Sequence, residues 1–415
     1  MRYSTGIKKI LTGNVIAQLI TFLSLPLITR FFTPEQLGIG NAIYLAASII
    51  AIILTLRMEY AIFISSESKT NYSSKLKLGL LNSLYLGIIL LCIGISLSYF
   101  KLINITLVEA LLLAILAYLI SNYNIFISFL NFNEKYDKLS NTRILLALSG
   151  SVLKITFGYF MWGWIGFIIA ICISYISSII YTWYFERKKI STTINKKIDY
   201  VKEIKNNSSY IKYNMTNALI NSAGQFIPVA LLGIYYNASL VGIYTLSLTI
   251  LKAPVNLLGE AVRRVYFKNA SVCIEHGNYS LLSSRYKKTT LFLFIVGVFG
   301  YGGVSIALNI FDTTIFGSSW SGINQTFSIL SIWFIFLLCN APSTATLTIL
   351  EKHKFLFYYE IIYLIFRIAS LIIPSLLSFD YSNTLLSFVL TNVAFNIVII
   401  LHSYIEIKKN DNIHR

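Results

Sequence analysis

Residues 78–99 read LGLLNSLYLGIILLCIGISLSY, twenty-two consecutive positions without a charged side chain. An α-helix rises about 1.5 Å per residue, so this stretch covers about 33 Å, enough to cross the ~30 Å hydrocarbon core of a bilayer. Comparable runs follow one another along almost the whole chain. They predict helical spans over 10–29, 38–58, 78–99, 105–129, 142–162, 164–185, 211–233, 241–261, 289–310, 326–347, 356–377 and 384–405. The composition agrees, with 56% hydrophobic and 12% charged residues in 415, where soluble domains carry about 25% charged. The expected fold class is therefore an all-α polytopic membrane protein of about twelve transmembrane helices. The N-terminal run is too long for a signal peptide and lacks a small-residue cleavage site, so it reads as the first span.

The net charge of +17 would suggest nucleic acid in a soluble protein. Here the basic residues have a simpler explanation. With those twelve spans, 29 of the 34 Lys and Arg fall on the side of the N-terminus and only Arg30 and Lys101 on the other. Basic loops stay in the cytoplasm, which predicts both termini there and no nucleic-acid partner. The opposite loops are short, the longest about 311–325, leaving no external domain to hold an active site.

The two halves repeat. Asn14 and Gln18 precede Pro26 in span one, and Asn217 and Asn221 precede Pro228 in span seven, at offsets of 203, 203 and 202. Leu37-Gly38-Ile39 is echoed by Val241-Gly242-Ile243, and Glu134-Lys135 by Glu351-Lys352. Six spans per half would give the halves the same orientation, related by an axis along the membrane normal. The expected organisation is a six-helix lobe over 1–185, a basic cytoplasmic linker over 186–210 and a second six-helix lobe over 211–415.

Polar residues recur at helical spacing. Asn214, Asn217, Asn221 and Gln225 form one stripe of span seven. Asn41, Tyr44, Ser48, Thr55 and Glu59 share a face of span two. Thr245, Thr249, Lys252, Asn256 and Arg263 share one of span eight. Such side chains either hydrogen-bond between packed helices or line a wet cavity, and their recurrence at matching positions of the repeat favours the cavity. Its expected lining is Asn14, Gln18, Asn41, Ser48, Asn217, Asn221, Gln225 and Asn256.

A charge at mid-bilayer costs at least ~2.5 kcal/mol, so it marks a pathway or a partner. Lys252 and Arg367 lie near the middle of their spans, while Lys154 is close enough to an end to snorkel. Arg30 and Arg57 sit at span ends, and Lys252, Arg367, Lys154, Arg30 and Arg57 are together the expected substrate-binding cations of the cavity. Glu59 is placed to pair with Arg57, and Glu260 with Arg263 or Arg264; both acids are also candidates for ion coupling. Cations at mid-depth suit an anionic passenger such as a phosphate group.

Other chemistry finds no support. No phosphate-binding Gly-x-x-x-x-Gly-Lys loop occurs. Gly38-Ile39-Gly40 begins a dinucleotide-like pattern that Ile43 breaks. His276, His353, His402 and His414 are dispersed, and the four cysteines show no paired spacing. No cofactor or metal is expected, and no enzymatic activity. Lys188-Lys189 and Lys196-Lys197 suit anionic lipid headgroups.

Four segments carry a resemblance to a known family. They are Pro26-Leu27-Ile28-Thr29-Arg30 with Pro34-Glu35-Gln36-Leu37-Gly38; Leu56-Arg57-Met58-Glu59-Tyr60-Ala61-Ile62; Val241-Gly242-Ile243-Tyr244 running to Pro254 and Val265-Tyr266; and Pro342 with Glu351-Lys352-His353-Lys354. Together they resemble the polysaccharide-exporting flippases (Wzx type, O-antigen transporters) of the multidrug/oligosaccharidyl-lipid/polysaccharide superfamily. The resemblance implies two six-helix lobes around a central cationic cavity. It implies an undecaprenyl-diphosphate-linked oligosaccharide as passenger, moved from the cytoplasmic to the periplasmic face of the bacterial inner membrane by alternating access and driven by a proton or sodium gradient. Membrane lipids, a polysaccharide polymerase and a chain-length regulator would be its neighbours. Lys252 and Arg263-Arg264 add more charge to the third segment than the resemblance leads one to expect. A drug or metabolite exporter of the same fold is the alternative, opposed by the cationic spans. A membrane glycosyltransferase or O-antigen polymerase is a further one, opposed by the lack of a large external loop or clustered acids.

Overall fold

The computed structural model describes residues 2–62, 69–100, 106–194 and 199–414. Lys101, Lys196 and Lys197 lie outside them. The described residues form α-helices joined by short turns, with no strand among them. They cluster into two compact units, Met1–Phe226 and Ile227–Arg415.

The N-terminal unit holds α1 (Arg2–Phe31), α2 (Pro34–Thr55), the single turn α3 (Met58–Ala61), α4 (Lys69–Tyr99), α5 (Leu107–Phe132), α6 (Tyr136–Tyr159), α7 (Gly163–Ile194), α8 (Tyr200–Asn206) and the start of α9 (Ser208–Tyr235). The C-terminal unit holds the rest of α9, α10 (Ala238–Pro254), α11 (Glu260–Glu275), α12 (Tyr279–Phe316), α13 (Ile323–Cys339), α14 (Ala341–Ile349), α15 (His353–Leu376) and α16 (Tyr381–His414). Eleven stretches among the described residues are long and apolar enough to cross a membrane. The missing twelfth is α6, whose 24 residues span about 36 Å. Asp137, Lys138, Arg143 and Lys154 depress its hydropathy, yet it packs against α1 and α7. The reading of about twelve helices stands.

Helix starts follow their capping chemistry. Thr33 precedes Pro34 and forms a capping box with Gln36; Thr106 does the same with Glu109. Asn237 caps α10 by accepting from the Leu240 amide at 2.9 Å. Thr33 and Asn237 cap corresponding spans, at the same offset that separates Leu37 from Val241. The repeat is tighter later in the chain. Glu134 and Glu351 both take left-handed backbone, φ 55° and 56°, and so do Met161 and Ser378, φ 57° and 59°. The two pairs share one offset. They bracket α6 and α15, which have the same length and keep that offset at both ends.

Two expectations about the second span of each half are corrected. In the N-terminal unit α2 stops at Thr55 because Leu56 and Arg57 are both left-handed, φ 49° and 58°. Each such residue costs about 1 kcal/mol without glycine. The break is held by Thr55 Oγ1, which accepts from the Arg57 amide at 3.2 Å, and by Lys75 Nζ, which donates to the Ala61 carbonyl at 3.0 Å. Met58 and Ala61 are fully buried behind it, against Leu78 and residues of α8 and α9. Glu59 therefore leaves the stripe of Asn41, Tyr44 and Ser48. In the C-terminal unit Pro254 has no amide to donate, and the chain widens into a π-turn over Val255–Gly259 before α11 continues. The extra residue in that turn shifts Asn256 and Arg263 out of register with Thr245, Thr249 and Lys252.

Small residues let helices approach, as expected without water to drive association. A Cβ on Gly13 of α1 would overlap the Ser140 hydroxyl of α6, and one on Gly40 of α2 would lie 2.5 Å from the Phe167 ring of α7. Outward faces are apolar: Leu291, Phe292, Ile295, Phe299, Ile306 and Ile310 of α12 are all exposed.

Candidate functional site

Charged and polar side chains gather at mid-helix depth in each unit. In the C-terminal unit the centre is Arg367, midway along α15. Its guanidinium lies 5.5 Å from the Trp333 ring of α13, 5.2 Å from Tyr363 one turn before it, and 5.5 Å from Phe388 of α16. The electron-rich ring faces attract the cation and enclose it. Its Nε is buried without a hydrogen bond. Tyr363 is fixed in turn, its hydroxyl donating to Asn392 Oδ1 at 2.5 Å, and Asn340 donates to Asn396.

Lys252 of α10 is half-buried and lies within electrostatic reach of Arg367. The structure thus brings together the two mid-span cations that the sequence singled out. Two like charges within reach of each other in a partly desolvated site repel. A fold that keeps such a pair has an anion-attracting point.

Glu360 is the residue that sequence reading missed. It lies two turns before Arg367 on α15 and within its electrostatic reach. This carboxylate adds an acid within reach of a cation that the sequence reading had left without one. It stands near the start of the span predicted over 356–377, where a run of aromatic and aliphatic neighbours masks one acid.

In the N-terminal unit Lys154 does not join the other cations. Its ammonium sits 4.4 Å above the Phe167 ring, clamping α6 to α7. Arg57 pairs with Glu59 at 3.2 Å and lies 4.5 Å over Tyr60. Glu59 is only 2% exposed and its Oε2 has no hydrogen bond. Glu260 pairs instead at the surface, with Arg263 at 3.3 Å. Arg30 is exposed at the end of α1.

Arg143 is the second residue of the span expected over 142–162. It stands two turns inside α6 and donates to Asn14 Oδ1 of α1. It is also within electrostatic reach of Tyr123 of α5. Tyr123 packs edge-on to Tyr175 of α7 at 5.1 Å, and the Tyr175 and Tyr44 hydroxyls are 3.4 Å apart. Ser48 donates to the Tyr44 carbonyl at 2.8 Å. Along α9, Asn214, Asn217, Asn221 and Gln225 are all exposed, while Ala218 and Gly224, which flank the stripe, are buried. Gln18 and Asn41 are half-buried, and Asn256 is exposed on the π-turn.

Residues 27–325 match the model of a family described as polysaccharide biosynthesis protein. No curated protein matches the sequence. Among solved structures, the chain is similar to a multidrug resistance MATE family transporter of the MOP superfamily in an inward-facing conformation. The TM-score is 0.69 and the identity 15%, over 95% of this chain and 96% of that one. It is also similar to a MOP superfamily transporter from Pyrococcus furiosus, described by the reverse polarity of its binding pocket, with a TM-score of 0.64 and 15% identity over 98% and 96%. At that identity the likeness concerns the fold, and it agrees with the multi-pass helical architecture built above. With the family match covering most of its length, the chain is a multi-pass membrane protein with the fold of these MOP superfamily transporters and belongs to the polysaccharide biosynthesis protein family.

Proposed function

We propose that the chain flips an undecaprenyl-diphosphate-linked oligosaccharide of the O-antigen type from the cytoplasmic to the periplasmic face of a bacterial inner membrane. Transport would proceed by alternating access under an ion gradient, with both termini in the cytoplasm. The observation that carries this reading is the pairing of Lys252 with Arg367 at mid-depth in one unit. A diphosphate carries the charge that relieves their repulsion and can accept hydrogen bonds from both. Arg367 offers a rigid fork held by three rings, and Lys252 a flexible point charge. Pocket polarity is also the feature by which the Pyrococcus furiosus neighbour is described. In this chain the cations argue against export of cationic drugs. Glu59 and Glu260 are the proposed ion-coupling acids. Glu59, buried with one free oxygen, has the environment for it, while the exposed Glu260 has less.

The test is a strain deleted for the chain. Lipid-linked oligosaccharide should accumulate on its cytoplasmic leaflet and surface polysaccharide should be lost, both restored by the wild-type chain. Normal surface polysaccharide in the deletion strain, in the absence of a second flippase gene, contradicts the proposal.

A further inference from the structure

Arg143 and its tyrosine neighbours are not accounted for by diphosphate binding. Five helices of the N-terminal unit each contribute one member: Asn14 from α1, Tyr44 from α2, Tyr123 from α5, Arg143 from α6 and Tyr175 from α7. All five lie inside membrane-spanning helices. A structural core at that depth would be filled with apolar side chains, because polar groups there are costly without partners. Tyr175 is buried and forms the floor of the cluster. Asn14, Tyr44, Tyr123 and Arg143 are half-buried, so part of each side chain remains open.

The contacts within the cluster are specific. The Arg143 guanidinium is held by the Asn14 amide oxygen, which uses part of its donor capacity and leaves several N–H groups. Tyr123 stands at 77° to Tyr175 with ring centroids 5.1 Å apart, an edge-to-face contact in which Tyr175 covers at most one face of the Tyr123 ring. The Tyr44 and Tyr175 hydroxyls are 3.4 Å apart, a loose bond that leaves both able to serve another partner.

The repeat sharpens the point. Arg143 and Glu360 are separated by the same offset as the starts of α6 and α15, so they occupy one register position in the two helices. One unit places a cation with three phenols there, the other an anion beside the aromatic-boxed Arg367. The two units have diverged at this position, which a purely structural requirement of the fold would not demand.

We propose that Asn14, Tyr44, Tyr123, Arg143 and Tyr175 form a sugar-recognition surface for the glycan part of the passenger. Phenol rings offer flat faces to the C–H faces of a pyranose, and their hydroxyls both donate and accept. Asn14 and the free guanidinium donors match hydroxyl, N-acetyl or carboxylate substituents of a sugar. The cluster holds one cation already shared with Asn14, against two at Lys252 and Arg367, so it is the weaker diphosphate site and the better glycan site. This inference rests on the passenger being a lipid-linked oligosaccharide.

The test compares two probes on the full-length chain in nanodiscs. One is polyprenyl diphosphate without sugar. The other is the lipid-linked oligosaccharide extracted from a strain deleted for this chain. Wild type should bind the oligosaccharide-bearing probe at least tenfold more tightly. Tyr123→Ala and Tyr44→Ala should erase that advantage, while the Kd for bare polyprenyl diphosphate changes less than twofold. That retained binding also shows that the variants fold. Tyr123→Phe, which keeps the ring, should lose less than Tyr123→Ala. Equal binding of both probes by wild type, or equal weakening of both by the tyrosine variants, overturns the glycan surface. Arg367→Ala should weaken both probes. If it leaves both unchanged while Tyr123→Ala and Tyr44→Ala still weaken only the oligosaccharide-bearing probe, the diphosphate assignment fails and the glycan surface stands.

Discussion

Glu134 and Glu351 turn the chain in the same way at equivalent places of the repeat. Their φ angles are 55° and 56°. The lysine after each donates its amide to the carbonyl five positions earlier, Lys135 to Leu130 and Lys352 to Leu347, both at 2.9 Å. This is the hydrogen-bond pattern of a Schellman helix end, where glycine is the usual occupant. Neither position is glycine, so both glutamates carry the cost of left-handed backbone.

The first prediction follows from that cost. Glu134→Gly and Glu351→Gly should each stabilise the protein by up to about 1 kcal/mol, since glycine adopts positive φ freely. Glu134→Val and Glu351→Val should destabilise it by more, because a β-branched side chain clashes there. Thermal unfolding of the purified protein in detergent measures both. A lower midpoint for the glycine variants would show that these glutamates hold the turns through their side chains.

Much of the fold was legible because hydropathy is a local property. The spans, the basic asymmetry and the Glu134/Glu351 echo all read directly from neighbouring residues. The breaks did not. Leu56 and Arg57 contain no glycine to announce a left-handed pair, and their geometry depends on burial of Met58 and Ala61 behind them. Pro254 was visible, but whether a proline kinks, ends or widens a helix is decided by its neighbours. At the site, Lys252 and Arg367 stood out as charges in apolar runs. Arg143 was hidden because it lies near the start of a helix rich in charges; Tyr44 showed in the stripe of span two, but its partners Tyr123 and Tyr175 did not, because three spans separated in sequence bring them together.

The second prediction concerns Glu360. Its carboxylate is within reach of Arg367 and opposes an anion approaching that cation. Glu360→Gln should tighten binding of bare polyprenyl diphosphate about three- to tenfold in an equilibrium binding assay, and Arg367→Ala should remove the gain. Unchanged or weaker binding in Glu360→Gln would place the carboxylate away from the headgroup.

A third prediction addresses orientation. Reporter fusions after residues 200 and 410 should report cytoplasm and one within 235–240 periplasm, since 29 basic residues fall on one side. A periplasmic signal from residue 200 or 410 would invert the proposed direction of transport.

The exposed amides of α9 provide a fourth. In a cysteine-free background, cysteines at Asn217 and Asn221 should react with a small water-soluble thiol reagent. Cysteines at Phe299 and Ile306, exposed on the apolar face of α12, should resist it. Equal protection at all four positions would mean that the α9 stripe does not face water.

The most direct measurement is flipping of lipid-linked oligosaccharide in proteoliposomes reconstituted with the wild-type chain, Lys252→Ala, Lys252→Arg or Arg367→Ala at equal protein content. A charge-assisted contact is worth about 1.5–3 kcal/mol, so losing either cation should slow flipping about tenfold to a hundredfold, with Lys252→Arg retaining part of the rate. Wild-type rates for both alanine variants would contradict the role of the Lys252–Arg367 pair as the diphosphate-binding centre.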